Sequence, residues 1–413
     1  MSFKSLELND WRQFEHVGLD FHNQLTILTG ANGSGKTTLL NILARHLNWN
    51  VNIVGTPRKD KKTGAIRYRS ERKKRPSDVP GGWTDIGRIT YENGAASQIQ
   101  APAEASSQYN LNVLTQQPIS GLHISSHRPI FSYQPVLNIP TQVVTRQQAY
   151  LEYFGSVYTR YIGQQSPKSP NQILKESLIS LALFGGGNEY VTPNDDSRAT
   201  FEGFQEVLRK VLPPKIGFKR LSIQVPEVVL ETASGPFSLD AVSGGVASII
   251  DLAWRIFMYS PEGDHFVCTI DEPENHLHPE LQQSLLPKLI QTFPHVQFVI
   301  ATHSPFMISA VYDSFVYVLD YNVENRVESQ KLEAVNKAGT ANEILRDVLG
   351  LPFTMPLWAE EKLDTIVKRY AEVGVDDRNV GALEAELSAA GLDFLTSDRT
   401  VSRSLERHDN DQA

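Results

Sequence analysis

The chain has 413 residues, enough for one large α/β domain with insertions or for two ordinary domains. A hydrophobic fraction of 40% and a charged fraction of 21% are typical of globular proteins and argue against a disordered or fibrous chain. The single cysteine, Cys268, cannot form an internal disulfide, no apolar run is long enough to span a bilayer, and the first residues lack the layout of a secretory signal. We therefore expect a cytoplasmic protein with no membrane partner.

The net charge of −8 at pH 7 conceals a basic segment. Residues 57–76 carry ten Lys or Arg against Asp60 and Glu71, a local charge of +8, so the remainder of the chain sums to −16. A local excess of positive charge is typical of contacts to nucleic-acid phosphates, which do not require a basic protein overall. The alternative is a solvated β-hairpin whose charges keep an exposed sheet edge soluble. Both interpretations remain open.

The first predicted elements are a strand around Phe3–Leu8 and a buried strand over Gln24–Thr29. A glycine-rich loop follows, and the spacing and composition of LLNILARHL after it predict a helix. Short β-like runs from VNIVG to GLHISS, separated by Gly, Pro and Asn, then predict an antiparallel β insertion between 51 and 145.

Helical patterns dominate the next region, and α/β character returns after it. RQQAYLEYFGSVYTRYI, NQILKESLISLALF and FEGFQEVLRKVL predict helices, and FKRLSIQV and EVVLET predict strands. Further along, the buried strands HFVCTID and QFVIATH alternate with the helices VASIIDLAWRIFMY and PELQQSLLPKLIQTF. We expect four regions: a first lobe with the β insertion (1–145), a helical insertion with return strands (146–238), a second α/β lobe (239–330) and a C-terminal helical region (331–413) ending in the tail SLERHDNDQA.

The glycine-rich loop fits the phosphate-binding pattern G-x-x-x-x-G-K-[ST] at every fixed position, with a strand before it and a helix after it. It reads Gly30-Ala31-Asn32-Gly33-Ser34-Gly35-Lys36-Thr37-Thr38. Glycines let backbone N–H groups turn inward around phosphate oxygens, Lys36 brings a charge to the outer phosphates, and Thr37 offers a hydroxyl to Mg²⁺. We therefore predict that residues 30–38 form a P-loop, with ATP and Mg²⁺ as cofactors.

The stretch TIDEPENHLHP, residues 269–279, collects carboxylates and histidines. A P-loop requires a distant apolar strand ending in an acid that holds the magnesium water shell, and FVCTI followed by Asp271 matches it. Glu272 is then the predicted general base for the attacking water. The alternative is a zinc site, but His276 and His278 lack the i, i+4 spacing of a zinc helix.

Two further motifs accompany these. Ser243-Gly244-Gly245 stands before an amphipathic helix, where N–H groups, a hydroxyl and the helix dipole form an anion site. His303, in ATHSP, ends the second buried strand and is a predicted donor to the γ-phosphate. Either feature alone is a weak signal, because a Ser-Gly-Gly turn is an ordinary helix cap and a lone histidine is more often structural.

The order GANGSGKTT, SGG, IDEPENHLHP, ATHSP resembles the ABC-type ATPase heads, and more closely the RecF/SMC-like and OLD-family branch (AAA15/AAA21) common in bacterial defence islands. The predicted fold class is therefore an α/β ABC-ATPase head with a P-loop core sheet, an inserted antiparallel β subdomain and a helical subdomain. The resemblance implies that Ser243, Gly244 and Gly245 act as the signature, Glu274–His278 as the D-loop and His303 as the switch histidine. Val246 and Ala247 depart from the usual Gln or Glu after the signature.

The resemblance also implies an assembly. In this class one P-loop meets the signature of a second chain, so we expect an ATP-bound homodimer, or a higher even-numbered homo-oligomer, with composite sites. Gln134 and Gln142 are the candidates for the Gln-loop. Trp11, Arg12, Phe14 and His22 are candidates for adenine contacts, although each is more typical of core or surface. Arg128, after a predicted strand, either approaches the site or forms an ordinary salt bridge.

Three functions fit these motifs. The first is the ATPase of an anti-phage system, as in Septu, PARIS or retron operons. Its nuclease or toxin is expected in another chain, because the residues after His303 lack a Toprim-like set of acids and Asp376-Asp377 is an isolated pair. The second is a RecF- or Rad50-like DNA-repair ATPase, which the basic segment supports and the missing coiled-coil pattern opposes. The third is a transporter motor subunit, which usually has a much shorter gap between P-loop and signature.

Overall fold

An eleven-stranded mixed sheet organises the computed structural model, which describes residues 1–71, 82–140, 142–260, 264–333, 340–349, 357–373 and 380–392. The chain divides into two compact units, residues 1–344 and 345–413. In chain order the strands of the large sheet are β1 (Phe3–Trp11), β2 (Phe14–Asp20), β3 (Leu25–Gly30), β7 (Trp83–Tyr91), β8 (Ala96–Pro102), β10 (Asn112–Leu114), β11 (Gly121–Ile124), β15 (Phe266–Asp271), β16 (Val296–Ala301), β17 (Phe315–Tyr321) and β18 (Val327–Lys331).

The remaining described elements are smaller strands and the helices. The strands are β4 (Ile53–Val54), β5 (Thr56–Lys59), β6 (Ile66–Arg69), β9 (Gln108–Tyr109), β12 (Arg220–Gln224), β13 (Glu227–Thr232) and β14 (Gly235–Ser238). The helices are α1 (Lys36–Ala44), α2 (Arg146–Tyr161), α3 (Pro170–Gly186), α4 (Asp195–Val211), α5 (Gly244–Tyr259), α6 (Pro279–Thr292), α7 (Pro305–Ile308), α8 (Ala341–Asp347), α9 (Leu357–Val373) and α10 (Val380–Ala389).

The parallel half of the sheet positions the site. Strands β17, β3, β16, β15 and β11 are neighbours in that order, and each adjacent pair is parallel. Strands β3, β15 and β16 are buried along their whole length, as expected where helices cover both faces. Since parallel strands end at one edge, the loops after all five open on the same side, where open α/β sheets bind their ligands.

The antiparallel half contains most of the predicted β insertion, but the prediction was wrong for its last strand: β11, in GLHISS, pairs in parallel with β15 at the other edge of the sheet. Strand β7 pairs with β1, β8 with β7 and β10 with β8, so the insertion continues the core sheet. Burial alternates along β8, which is typical of a strand with one face on the core. Its smaller strands form two separate ribbons, β4–β9 and β5–β6.

The predicted helical insertion forms α2, α3 and α4, each begun by a side-chain cap. Thr145 makes a capping box with Gln148, while Ser169 and Asn194 each accept a backbone N–H at the start of their helices. Such caps satisfy N–H groups that the helix itself leaves without partners. These helices pack against one another and against α5.

Residues 345–413 form their own small core. Buried side chains of α9 and α10, among them Leu363, Val367 and Leu387, contact one another. The predicted tail SLERHDNDQA lies outside the described residues. Among the described helices, none is both long enough and apolar enough to cross a bilayer.

Candidate nucleotide site

The P-loop joins β3 to α1 in a conformation that its glycines permit. Gly33 and Gly35 have φ values of 84° and 98°, a region that other residues avoid. A Cβ on Gly35 would lie 2.4 Å from the Phe14 ring. The loop therefore needs glycine at position 35 for backbone conformation and for space.

Lys36 is held over this loop by main-chain oxygens. Its Nζ donates to the carbonyl oxygens of Gly30 at 3.1 Å and Ala31 at 3.0 Å. Burial lowers the pKa of Lys36 to about 8, against the opposing charges of Asp271, Glu272 and Glu274. The ammonium is thus a poorly solvated charge in a loop lined with N–H groups, as an anion site requires.

Asp271 and Thr37, the two predicted magnesium ligands, are in direct contact. The Thr37 hydroxyl donates to Asp271 Oδ2 at 2.9 Å, and Asp271 Oδ1 is buried with no hydrogen-bond partner among the described residues. Burial raises the pKa of Asp271 to about 6, with the Thr37 hydrogen bond opposing it. A buried carboxylate oxygen without a partner, next to a hydroxyl, fits a hard divalent cation.

Glu272 is positioned by its own backbone and by Asn275. The φ of Glu272 is 47°. Its backbone N–H donates to the carbonyl oxygen of Ala301 at 2.8 Å, and the chain turns sharply here, directly after β15. Asn275 Nδ2 donates to Glu272 Oε2 at 3.0 Å and to the Ser126 carbonyl at 3.1 Å. Strain of this kind concentrates at functional sites, and here it directs the half-buried carboxylate.

His303 reaches the same edge from β16. Its backbone N–H donates to Glu274 Oε1 at 2.7 Å. Burial, together with the nearby Lys36, lowers the pKa of His303, while burial raises the pKa of Glu274. The structure therefore brings the predicted switch histidine beside the P-loop of its own chain.

The predicted signature lies at the tip of α5. The Ser243 hydroxyl accepts the Val246 N–H at 3.5 Å as the helix cap. Ser243 and Gly244 are exposed, and a Cβ on Gly245 would lie 3.0 Å from the His276 carbonyl oxygen. Within the described part of the chain, no hydrogen bond joins this turn to the P-loop.

Arg128 takes part in the site through the backbone. It is buried, and its Nη2 donates to the carbonyl oxygens of Asp271 at 3.1 Å and Glu272 at 3.4 Å. Burial lowers its pKa to about 10. Of the two interpretations offered by the sequence, approach to the acidic site is the observed one. Strand β11 explains it, because this strand runs parallel to β15 and delivers the arginine to the same edge.

The adenine candidates differ in their position relative to the P-loop, and only the Phe14 ring is described in contact with it, at Gly35. Trp11 and Phe14 are fully buried in the core, and His22 precedes the opposite end of β3, 3.3 Å from Asp313. Arg12 remains partly exposed beside Trp11. These positions leave Arg12 as the one of the four whose side chain is open to a ligand.

Tyr321, which has no part in the sequence motifs, lies beside the P-loop. Its hydroxyl is 3.5 Å from where a Cβ on Gly33 would lie. Tyrosine at the end of a buried strand carries no sequence signal of its own, and only the pairing of β17 with β3 locates it.

The Gln-loop candidates and the zinc hypothesis find no support in the contacts. The Gln134 side chain accepts a hydrogen bond from Ser169, and Gln142 is exposed. His278 caps α6, and His276 is exposed. Across the described ranges, no three His, Cys, Asp or Glu side chains group so as to hold a metal ion.

Family models match both halves of this site. Residues 165–309 match the family described as "AAA domain, putative AbiEii toxin, Type IV TA system", and residues 5–113 match an "AAA domain" family. The first match contains the signature turn, the Asp271-Glu272 pair and His303, and the second contains the P-loop. With the sheet order, these matches confirm the predicted resemblance and the α/β fold class.

Particular relatives carry retron and Septu names. The chain is 28% identical to the retron Ec83 probable ATPase of Escherichia coli over 36% of this chain and 27% of that protein. It is 31% identical to the Septu protein PtuA of Bacillus mycoides (strain KBAB4) over 32% of this chain and 19% of that protein. The SMC head domain from Thermotoga maritima aligns over 81% of this chain and all of that chain, with a TM-score of 0.42 and 13% identity. The chain spans less than half the length of the curated relatives it matches.

Proposed function

We propose that this chain is a cytoplasmic ATPase that dimerises on ATP and Mg²⁺, hydrolyses the nucleotide and couples its state to a separate effector, a nuclease or toxin, in bacterial anti-phage defence. The retron and Septu names of its relatives support the defence setting. The observation that carries the proposal is an exposed signature turn that has no described hydrogen bond to its own P-loop. A second copy would complete each site with the signature of its partner.

Each side chain has a distinct role in this proposal. Lys36 leaves its main-chain acceptors to neutralise the outer phosphates, and His303 donates to the γ-phosphate from the other side. Thr37 and Asp271 would hold a magnesium ion, which would supply charge neutralisation for phosphoryl transfer. Glu272, directed by Asn275, accepts the proton of the attacking water.

Glu272→Gln tests the proposal. Loss of the general base should lower kcat roughly 10²- to 10⁴-fold while leaving nucleotide binding intact, so the ATP-bound dimer should accumulate. Light scattering after chromatography with ATP and Mg²⁺ measures the mass, and phosphate release measures turnover. Glu280→Gln is the matched control, since Glu280 is exposed on α6 and pairs with Lys215.

Two outcomes would contradict the proposal. A Glu272→Gln chain that hydrolyses ATP at the rate of Glu280→Gln would remove the assigned base. A monomeric chain that turns over ATP at every concentration would remove the shared site. The mass measured with ATP also separates a dimer from a higher even-numbered assembly.

A second candidate function is nucleic-acid binding through the basic segment, as in a DNA-repair ATPase. Its described part is the hairpin β5–β6, in which Arg58 lies opposite Arg67 and Thr56 opposite Arg69. Three arginines therefore share one face, and like charges directly opposite one another are unfavourable without an anion. Arg58 pairs with Glu71 and Arg67 lies near Asp60, as a solvated hairpin would also allow. No contact among the described residues favours the third hypothesis, a transporter motor subunit.

A further inference from the structure

A fully buried lysine joins three separate segments behind the signature. The Lys175 side chain is 0% exposed. Its Nζ, on α3, donates to the Gln134 carbonyl at 2.9 Å, to Glu227 Oε2 at 2.8 Å and to Asp240 Oδ2 at 2.6 Å. All three ammonium hydrogens thus have acceptors.

Asn171 stands one turn earlier on the same face of α3. Its Nδ2 donates to the Ser132 carbonyl at 3.2 Å and also to Asp240 Oδ1. Asn171 and Lys175 therefore engage both carboxylate oxygens of Asp240, and they also fix two carbonyls of the segment 132–134. We call this arrangement the α3 clamp.

Along the chain, the residues of the clamp lie between the P-loop and the signature turn. Asp240 belongs to the 3₁₀ turn Leu239–Ala241, which ends just before Ser243. The segment 132–134 follows closely after Arg128, which holds the carbonyls of the Asp271-Glu272 turn. The backbone near the catalytic turn and the backbone that presents the signature are thus tied to one helix.

The chemistry of the clamp favours positioning over simple stability. Burying an ammonium with two carboxylates costs desolvation, and apolar side chains of the same volume often stabilise as well or better. A buried ionic cluster instead fixes a particular geometry, because each donor must face its acceptor. Although burial opposes it, the hydrogen bonds that Lys175 donates to Asp240 and Glu227 raise the pKa of Lys175, so the ammonium stays charged.

We propose that Lys175 and Asp240 are positioning residues that set the signature turn, Ser243-Gly244-Gly245, in the orientation needed to contact the nucleotide of a partner chain. This inference rests on the proposed dimer. It assigns the bonds to Asp240 an effect on the pocket of the partner and none on the catalytic turn of the same chain, because Lys175 and Asn171 hold the carbonyls of residues 134 and 132 without Asp240.

Asp240→Asn tests the clamp without changing side-chain volume. An amide nitrogen would then face one of two donors, Lys175 Nζ or Asn171 Nδ2, because both oxygens are engaged. Glu227→Gln is the matched control. Glu227 accepts the hydrogen bond from Lys175 with one carboxylate oxygen, and its side chain is 26% exposed. A glutamine can therefore keep that hydrogen bond and turn its NH₂ group to water.

Mixed dimers supply the readout. One chain of the dimer carries Glu272→Gln, which inactivates the pocket built on its own P-loop. The remaining active pocket combines the P-loop and Glu272 of the other chain, the hydrolysing chain, with the signature of the Glu272→Gln chain. Asp240→Asn on the Glu272→Gln chain should lower ATP turnover at least tenfold. The same substitution on the hydrolysing chain should leave turnover within twofold of the mixed dimer without it, and Glu227→Gln should have no effect in either position.

An equal loss of ATP turnover with Asp240→Asn on either chain would overturn the inference, because it would indicate a general structural defect. Full ATP turnover in both placements of Asp240→Asn would also overturn it. Asn171→Ala, which removes the donors to Ser132 and Asp240 but keeps Lys175, gives a milder variant with the same expected asymmetry if Asp240→Asn does not fold. Absence of any dimer from Glu272→Gln alone would instead contradict the proposed function, so the two failures are distinct.

Discussion

Gly35 illustrates how one residue determines the P-loop. Its φ of 98° belongs to the left-handed half of conformational space, and the Phe14 ring occupies the volume that a side chain would need. Backbone strain and steric conflict therefore act together at this position. Phe14 cannot retreat, because it is the first residue of β2 and is fully buried.

We expect Gly35→Ala to abolish ATP binding, because the loop must shift to relieve the overlap with Phe14. Gly64→Ala is the control, since Gly64 has a φ of 71° and a Cβ on it would have no atom within 4 Å. That change should cost only about 1 kcal/mol of stability and leave ATP binding unchanged. Calorimetric titration with ATP measures both, and comparable affinity in the two variants would contradict the steric argument.

His46 shows a pH effect at the scale of an element, the turn that closes α1. Its Nε2 lies 2.8 Å from the Tyr91 hydroxyl of β7, inside the core. Burial lowers the pKa of His46 to about 4. The folded state therefore binds fewer protons than the unfolded state between that value and the ordinary histidine pKa of about 6.5.

The free energy of unfolding should accordingly be highest above about pH 6.5 and should fall as the pH is lowered toward 4, by up to about 1.4 kcal/mol per pH unit for each such histidine. His46→Gln should reduce the slope of the free energy of unfolding against pH by the contribution of one proton, up to about 1.4 kcal/mol per pH unit. Urea unfolding at several pH values measures it, and His16→Gln, at an exposed position on β2, is the control. An unchanged slope in His46→Gln would contradict a buried neutral imidazole.

The elements differ in how far the sequence could predict them. The P-loop, the two buried strands that end in Asp271 and in ATHSP, and the helix after Ser243 follow from local patterns, and the structure contains all of them. Most of the β insertion was predictable as antiparallel strands, but the parallel pairing of β11 with β15 and the continuity of the insertion with β1 required the pairing itself. Lys175 was not predictable as a site residue, because a lysine within an apolar helical pattern gains meaning only from acceptors 41 to 65 positions away.

Charge distribution is the property of the whole molecule that bears on its partners. An acidic chain carries a basic segment at 57–76, of which the structure describes the β5–β6 hairpin, where the side chains of Arg58 and Arg67 are 61% and 73% exposed. The nucleotide site lies at the end of the parallel strands, so the hairpin is free of the groups that hold the P-loop. We therefore expect substitutions on the hairpin to leave the proposed ATP hydrolysis unchanged.

We expect Arg67→Gln combined with Arg69→Gln to weaken binding to double-stranded DNA and to lower the salt dependence of the affinity, the slope of log K against log salt, by about 2. ATP turnover without DNA should stay at the wild-type level. Fluorescence anisotropy over a series of salt concentrations measures the slope. Arg209→Gln combined with Arg220→Gln is the matched control, because these arginines are also exposed and ion-paired, with Glu206 and Glu231, but belong to α4 and β12.

The two pairs of substitutions change the net charge equally, so a nonspecific effect of overall charge would weaken DNA binding in both. A contact that depends on the shared face of Arg58, Arg67 and Arg69 would weaken it only in the first pair. If the wild-type chain shows no affinity for DNA at low salt, or if the two pairs behave alike, the arginines serve to keep a solvated hairpin soluble. The repair-type function would then lose the observation that favours it, whereas the ATP-dependent dimer would be unaffected, because none of its residues lies on the hairpin.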